Sequence, residues 1–150
     1  KWPNDVLLRQ GDDFAKLAGI LIELASDRRG SQAVIGIGLN LLAPQEALPQ
    51  PAAGLAQAMV QVPERHRVQA AILQELATVL EAFAVDGFSG LKYEWQQRHA
   101  WQGLPVRLLG DDAAVLEGVC CGADDDGALL LAGDGGIRRI LSGDLSLRRA

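Results

Sequence analysis

Two nearly continuous apolar runs, KLAGILIELA at residues 16–25 and AVIGIGLNLL at residues 33–42, most constrain how this chain can fold. The length of the first run and its content of Ile and Leu favour a strand buried on both faces, although the pattern alone leaves a short helix open. The second run is also typical of a strand. Only the polar segment SDRRGSQ separates them. Two strands joined by such a short turn are typical of an antiparallel hairpin, which we predict here.

After a proline-bearing loop, the apolar pattern takes on the period of a helix. Its members recur at spacings of three and four: Val68, Ile72, Leu76, Val79, Leu80 and Phe83. This pattern predicts an amphipathic helix that starts near Glu64 and ends near Asp86, with Gly87 as its C-terminal stop. A shorter helix is predicted over residues 91–99.

The last third of the chain has a different pattern, in which short apolar runs alternate with the turn sequences GDD, GADDDG, GDGG and SGD. Closely spaced turns without a helical period indicate a small antiparallel barrel. We therefore predict an α+β fold with a boundary between residues 1–102 and residues 103–150.

Composition and charge argue against several classes of partner. The net charge is −5 and the sequence contains no basic stripe, which argues against nucleic-acid binding through this segment. No continuous apolar stretch approaches the roughly 18 residues of a membrane span, so we expect no membrane partner. Cys120 and Cys121 are read as reduced thiols of a cytoplasmic protein, with a vicinal redox pair as the alternative. His66 and His99 are read as surface helix residues, and we expect no metal site formed by protein ligands alone.

Three stretches offer sites for chemistry. In GIGLN, strand alternation places Gly36, Gly38 and Asn40 on one face, which suits close approach by a ligand or by a packed helix. In KLAGIL, Gly19 leaves a notch in an apolar strand. In KWPND, a proline stiffens the loop that presents Lys1, either as a contact for an anionic ligand or as a solvated charge.

The order of these motifs is more specific than any one of them. KWPNDVLL, then KLAGILIE, VIGIGLN, a helical segment and a terminal GDLSLR resemble biotin protein ligase, the biotin–[acetyl-CoA-carboxylase] ligase. The resemblance covers the C-terminal part of the catalytic domain and the SH3-like C-terminal domain. It implies part of a mixed sheet of the class II aminoacyl-tRNA-synthetase-like type, followed by an SH3-like β-barrel.

The resemblance also implies an activity. Such enzymes use ATP and Mg²⁺ to activate biotin as biotinoyl-5′-AMP and then biotinylate a lysine of biotin carboxyl carrier protein, a subunit of acetyl-CoA carboxylase. It implies that Lys1 is catalytic and contacts biotin, that Gly19 and Ile20 form the floor of the biotin pocket, and that Asn40 and Arg148 bind ATP. Asp144 is a candidate partner of Arg148, and an ordinary surface ion pair is the alternative for the two. Some such enzymes form homodimers.

One family motif is missing from this sequence. The GRGRRGR-type loop that clamps biotin and the adenylate normally precedes KWPND, and no such sequence occurs here. We therefore expect a chain that begins inside an active site and makes little or no biotinoyl-AMP by itself. The alternatives are a non-catalytic biotin-binding or regulatory fragment and a lipoate or octanoate ligase, although KWPND argues against the latter.

Overall fold

The computed structural model describes residues 1–28, 30–46, 48–110, 115–141 and 145–150. Within these residues the chain forms eight strands and two α-helices, which confirms the predicted α+β class. The elements are β1 (Asp5–Gln10), β2 (Asp13–Asp27), β3 (Gly30–Leu39), a short 3₁₀ helix (Leu55–Gln57), α1 (Arg65–Asp86), α2 (Ser89–Arg98), β4 (Pro105–Gly110), β5 (Val115–Ala123), β6 (Leu129–Gly133), β7 (Gly136–Ile140) and β8 (Leu145–Arg149). The contacts divide the chain into two compact units, residues 4–65 and residues 1–3 with 66–150.

The unit of residues 4–65 is built on a three-stranded antiparallel sheet in the order β1-β2-β3. The predicted hairpin is confirmed: β2 and β3 pair without interruption from Ala18 opposite Leu39 to Asp27 opposite Gly30. A parallel bridge between Lys16 and Ala52 joins the loop after β3 to the same sheet. This bridge is isolated, and the pairings between the three strands are all antiparallel.

The predicted burial of β2 on both faces is wrong for the described chain. Ala15 and Ala18 near the start of β2 are buried, but Leu21, Ile22 and Leu24 are 63%, 56% and 75% exposed. The physical reason is that the three strands form a single layer, and the unit supplies no second layer to cover the far half of the hairpin.

Helix α1 ends at Asp86 as predicted, and Gly87 follows with φ of 63°, a conformation that favours glycine. The helix contains no buried residue, so its apolar stripe is not covered in the described part of the chain. Helix α1 is long enough and apolar enough to cross a membrane, judged by length and composition only. This is weak evidence, because core helices of water-soluble proteins have the same length and composition.

The C-terminal strands form one antiparallel sheet in the order β7-β6-β5-β4-β8. The pairings among the described residues do not close this sheet into the predicted barrel. Buried and outward-facing side chains alternate along the strands, as expected for a sheet packed on one face. The buried side chains include Val106, Leu108, Leu129, Leu131 and Leu147. Helix α2 lies within a residue or two of the predicted bounds and packs on this sheet near β5. The boundary at residue 102 stays a prediction.

Candidate functional site

A β-bulge at Leu17 determines which side chains share the face of the first sheet. Along β1 and β2, Val6 pairs with Ala18 but the next residue, Leu7, pairs with Lys16, so Leu17 is the extra residue. A bulge resets the alternation of side chains along its strand. Lys16 is thereby brought to the face of Gly19, where a Cβ on the glycine would lie 3.3 Å from both Cε and Nζ of the lysine.

An ion pair with Asp5 holds the Lys16 ammonium on this face. Asp5 is the strand partner of Gly19, so its carboxylate lies on the same face. Lys16 Nζ is 2.7 Å from Asp5 Oδ1, and the side chains are 34% and 7% exposed. The Lys16 backbone is also fixed, because its N–H donates to Pro51 O at 2.8 Å and its carbonyl accepts from Ala53 N at 2.9 Å. The site therefore contains a positioned cation that is still partly open to a ligand.

The Lys16 ammonium faces an open cavity of about 460 Å³. Asn4, Lys16, Gly19, Ile20, Leu21, Gly36, Ile37 and Gly38 line this cavity. It therefore brings together Gly19 and Ile20, the two residues predicted to form the floor of a biotin pocket. We call it the larger cavity.

The paired glycines of GIGLN open onto the larger cavity. A Cβ on Gly38 would meet no heavy atom within 4 Å, and a Cβ on Gly36 would meet only Leu21 O at 3.7 Å. Packing of a helix against these glycines, the alternative left open by the sequence, is not found among the described residues. The space beside them is open to a ligand.

A smaller cavity of about 250 Å³ adjoins the first, and it shares Lys16, Gly19 and Gly38 with it. Asn40 lies at its edge, where its Nδ2 donates to Ala53 O at 3.1 Å. The Asn40 backbone bridges two segments, since its N–H donates to Leu17 O and its carbonyl accepts from Leu55 N. Asn40 therefore fixes the wall of this cavity.

Sequence reasoning missed Lys16. Strict alternation along KLAGIL places Leu17, Gly19 and Leu21 on one face, and hence Lys16 on the other. The bulge at Leu17 reverses this assignment. Nothing in the sequence marks the bulge, because Leu17 is neither a glycine nor a proline.

Lys1, the predicted catalytic lysine, lies in the other compact unit. Its Nζ is 5.7 Å from the ring centroid of Trp101, a cation–π distance, and the residue is half-buried. The Lys1 ammonium is therefore not the fully solvated charge that the sequence left open. Trp2 beside it is 3% exposed, and the Trp2–Pro3 peptide bond is cis.

The prediction that His99 is a surface helix residue is wrong. His99 follows α2 and is 7% exposed. Its Nε2 accepts a hydrogen bond from the Trp2 backbone N–H at 3.1 Å, which places its proton on Nδ1, the atom 3.8 Å from Cys120 Sγ. Burial lowers the pKa of His99 to about 4. His66, by contrast, is exposed on α1 as predicted.

The two cysteines are free thiols, as the sequence indicates. Burial raises the pKa of the Cys120 thiol. Because this thiol and the neighbouring imidazole of His99 are both neutral, the pair is not a thiolate–imidazolium nucleophile.

Arg148, a predicted ATP ligand, lies half-buried on β8 opposite Arg107 of β4. Arg107 in turn pairs with Glu117, with Nε and Oε1 3.0 Å apart. Asp144, the predicted partner of Arg148, lies outside the described residues.

Comparisons with known proteins place this chain among its relatives. A family described as "Biotin protein ligase C terminal domain" matches residues 103–148. Over the whole chain, the bifunctional ligase/repressor BirA of Escherichia coli is 34% identical, and the match covers 46% of that protein. The biotin–[acetyl-CoA-carboxylase] ligase of Paracoccus denitrificans is 37% identical over 91% of this chain and 57% of its own length.

Solved structures agree with the sequence matches. A crystal structure of the Aquifex aeolicus biotin protein ligase superimposes with a TM-score of 0.81 at 29% identity, over 99% of this chain and 64% of that one. The same ligase in complex with biotin and ATP superimposes with a TM-score of 0.79. The chain spans about half the length of the E. coli relative. Over its whole length the chain therefore resembles the C-terminal part of biotin protein ligases, and residues 103–148 match the C-terminal domain of that family.

Proposed function

We propose that this chain is part of an ATP-dependent biotin protein ligase, which activates biotin as biotinoyl-5′-AMP and transfers it to a lysine of biotin carboxyl carrier protein. One observation carries the proposal: a cation, Lys16, is fixed beside a glycine-lined cavity formed by the KLAGIL and GIGLN segments. Relatives named as biotin ligases match the chain over these segments.

The reaction explains why a positioned cation is needed. In the first step a biotin carboxylate oxygen attacks the α-phosphorus of ATP, the new O–P bond forms, and pyrophosphate leaves. In the second step a lysine ε-amine attacks the acyl carbon, a C–N bond forms, and AMP leaves as the amine loses a proton. The first step brings two anions together, and a fixed cation lowers the barrier by offsetting their repulsion.

Two lysines are candidates for this role. Lys16 lines both cavities, and Asp5 restricts its motion. We therefore assign to Lys16 the charge that meets the biotin carboxylate and the α-phosphate. The role that the family resemblance gives to Lys1, contact with biotin and the adenylate, is kept as a second and weaker contribution. Gly19 and Ile20 form the floor beneath biotin in this proposal.

The nucleotide is assigned to the smaller cavity. Asn40 at its edge is the proposed ATP contact there. An ATP contact by Arg148, which the family resemblance implies, stays a separate prediction. The described residues contain no group of three His, Cys, Asp or Glu side chains that could hold a metal ion. In this proposal Mg²⁺ binds with the ATP phosphates, as Mg²⁺ commonly does.

We further propose that residues preceding Lys1 in a longer protein supply the missing half of the site. The exposed apolar side chains of β2 and of α1 support this, since monomeric proteins rarely leave such faces bare. An arginine-rich loop in that half would provide the remaining charge for the phosphates. A cytoplasmic location and a homodimer stay predictions, as does the lack of contact with membranes or nucleic acid.

Biotin transfer by a full-length protein tests the proposal. Wild-type protein is expected to biotinylate purified carrier protein in the presence of ATP, and Lys1→Ala is expected to reduce the rate about tenfold, as for loss of one contact to the reacting groups. Binding of biotin without transfer would favour the non-catalytic fragment. Transfer of lipoate or octanoate in place of biotin would favour the related ligases. Unchanged transfer by Lys1→Ala would remove Lys1 from the mechanism.

A further inference from the structure

His99 is a buried histidine that the proposed reaction does not use. Its Nε2 accepts from the Trp2 backbone N–H at 3.1 Å, and the imidazole stacks at a tilt on Trp95 with 4.7 Å between ring centroids. A buried polar side chain with this many contacts is expensive to keep and has a defined orientation. Its Nδ1 lies 3.8 Å from Cys120 Sγ, and its Nε2 holds the backbone of the residue next to Lys1.

The Trp2 side chain is held independently of its backbone. Its Nε1–H donates to Gly127 O at 3.1 Å. The turn containing Gly127 is itself fixed, because Asp124 Oδ1 accepts from the backbone N–H groups of Asp126 and Ala128 at 3.0 and 2.9 Å. Arg139 pairs with the other carboxylate oxygen of Asp124. The start of KWPND is therefore attached to a rigid turn as well as to His99.

We propose that His99 is a positioning residue for KWPND: through the Trp2 amide it determines where Lys1 stands. The inference rests on the proposed function, because it needs a reaction in which KWPND takes part. The neutral imidazole suits the role, since only an unprotonated Nε2 can accept from the amide.

A pair of amide variants separates the two sides of the imidazole. The side-chain amide of glutamine can place its oxygen near the position of Nε2, whereas the shorter asparagine can replace only the Nδ1 side, which faces Cys120. His99→Gln therefore keeps an acceptor for Trp2, and His99→Asn does not. His66→Gln, at the exposed histidine of α1, is the matched control.

The experiment measures biotin-dependent ATP–pyrophosphate exchange and amide hydrogen exchange in the full-length protein. We expect His99→Asn to lower kcat/KM for biotin by about tenfold, as for loss of Lys1 itself, and to speed amide hydrogen exchange in the peptide that contains Trp2, because small misplacements of reacting groups are costly. His99→Gln is expected to stay within about threefold of wild type by the same argument, and His66→Gln to match it. Both assays are run well below the unfolding midpoint of each variant.

The outcomes distinguish the inference from the proposed function. If His99→Asn and His99→Gln lose activity equally, or if His99→Asn retains wild-type kcat/KM, the positioning role is overturned. If wild-type protein shows no biotin-dependent exchange at all, the proposed function fails instead. In that case hydrogen exchange still tests the inference without any activity. An unchanged exchange rate of the Trp2 amide in His99→Asn would overturn the hydrogen bond between Trp2 and His99.

Discussion

Asp5 and Lys16 form an ion pair with 2.7 Å between Oδ1 and Nζ, and a β-bulge is what makes it possible. Without the extra residue Leu17, the lysine would point to the opposite face of β2 from the aspartate. The carboxylate is buried and the ammonium is partly exposed, so the pair holds the lysine in place while leaving it open to an anionic ligand. The bulge at Leu17 therefore places the Lys16 ammonium at the cavity where the proposed reaction needs a cation.

Replacing Asp5 tests whether the pair positions Lys16. Asp5→Asn keeps the shape of the side chain and removes its charge, so we expect it to destabilise the fold by about 2 kcal/mol, as for loss of a charge-assisted hydrogen bond. Biotin-dependent pyrophosphate exchange should fall further than stability alone explains, because the ammonium is no longer fixed. Asp13→Asn, at the exposed start of β2, should leave both quantities near wild type. Equal activity in the two variants would contradict the positioning by Asp5.

Adding a side chain at Gly38 tests whether the larger cavity binds biotin. A Cβ there would enter open space, and valine favours a strand, so Gly38→Val should not lower the free energy of unfolding. The added methyl groups would occupy the cavity and should raise KM for biotin by about tenfold or more, as overpacking of a binding site does. Ala33→Val adds the same bulk to β3 away from both cavities. If the two variants have the same KM, biotin binds elsewhere.

Most of the fold could be predicted from the sequence because its signals are local. The hairpin of β2 and β3 follows from two apolar runs and a short polar turn, and the end of α1 at Asp86 follows from Gly87. Burial was predicted less well, because it depends on whether another layer of secondary structure covers a strand or helix. A local sequence pattern does not show whether that layer is present. The exposed Leu24 of β2 is an example.

The candidate site was predicted in part for the same reason. Gly19 and Ile20 line the larger cavity, as expected from the notch in KLAGIL. Lys16 was missed because one extra residue in β2 reverses the side on which a lysine lies, and periodicity assumes that no such residue exists. His99 was assigned to the surface because its burial depends on Trp2, far away in sequence.

His99 also predicts a pH dependence of stability. Its ordinary pKa is 6.5 and burial lowers the native value to about 4, so the native state favours the neutral imidazole. Neutral, buried His99 therefore contributes to the free energy of unfolding, and this contribution is complete above pH 6.5. It is lost progressively as the pH falls from 6.5 toward 4, to a total of about 3 kcal/mol.

Chemical unfolding at pH 8 and at pH 4.5 measures this contribution. Wild-type protein should lose more stability between the two values than His99→Gln, which has no imidazole to protonate. The comparison between the two proteins cancels the titration of the carboxylates, which they share. An identical loss in both would contradict a buried, neutral His99.

The most direct test of the account is biotin-dependent ATP–pyrophosphate exchange by the full-length protein with Lys16→Ala. Loss of a fixed charge at the reacting groups should reduce the exchange rate by about 100-fold or more, measured well below the unfolding midpoint of the variant. The free energy of unfolding should fall by about 2 kcal/mol, as for Asp5→Asn, because both variants break the same ion pair. Lys92→Ala, which removes a lysine from an ion pair with Asp125 on the other unit, should exchange at the wild-type rate. Exchange by Lys16→Ala that equals wild type would contradict the central claim that this lysine provides the cation of the site.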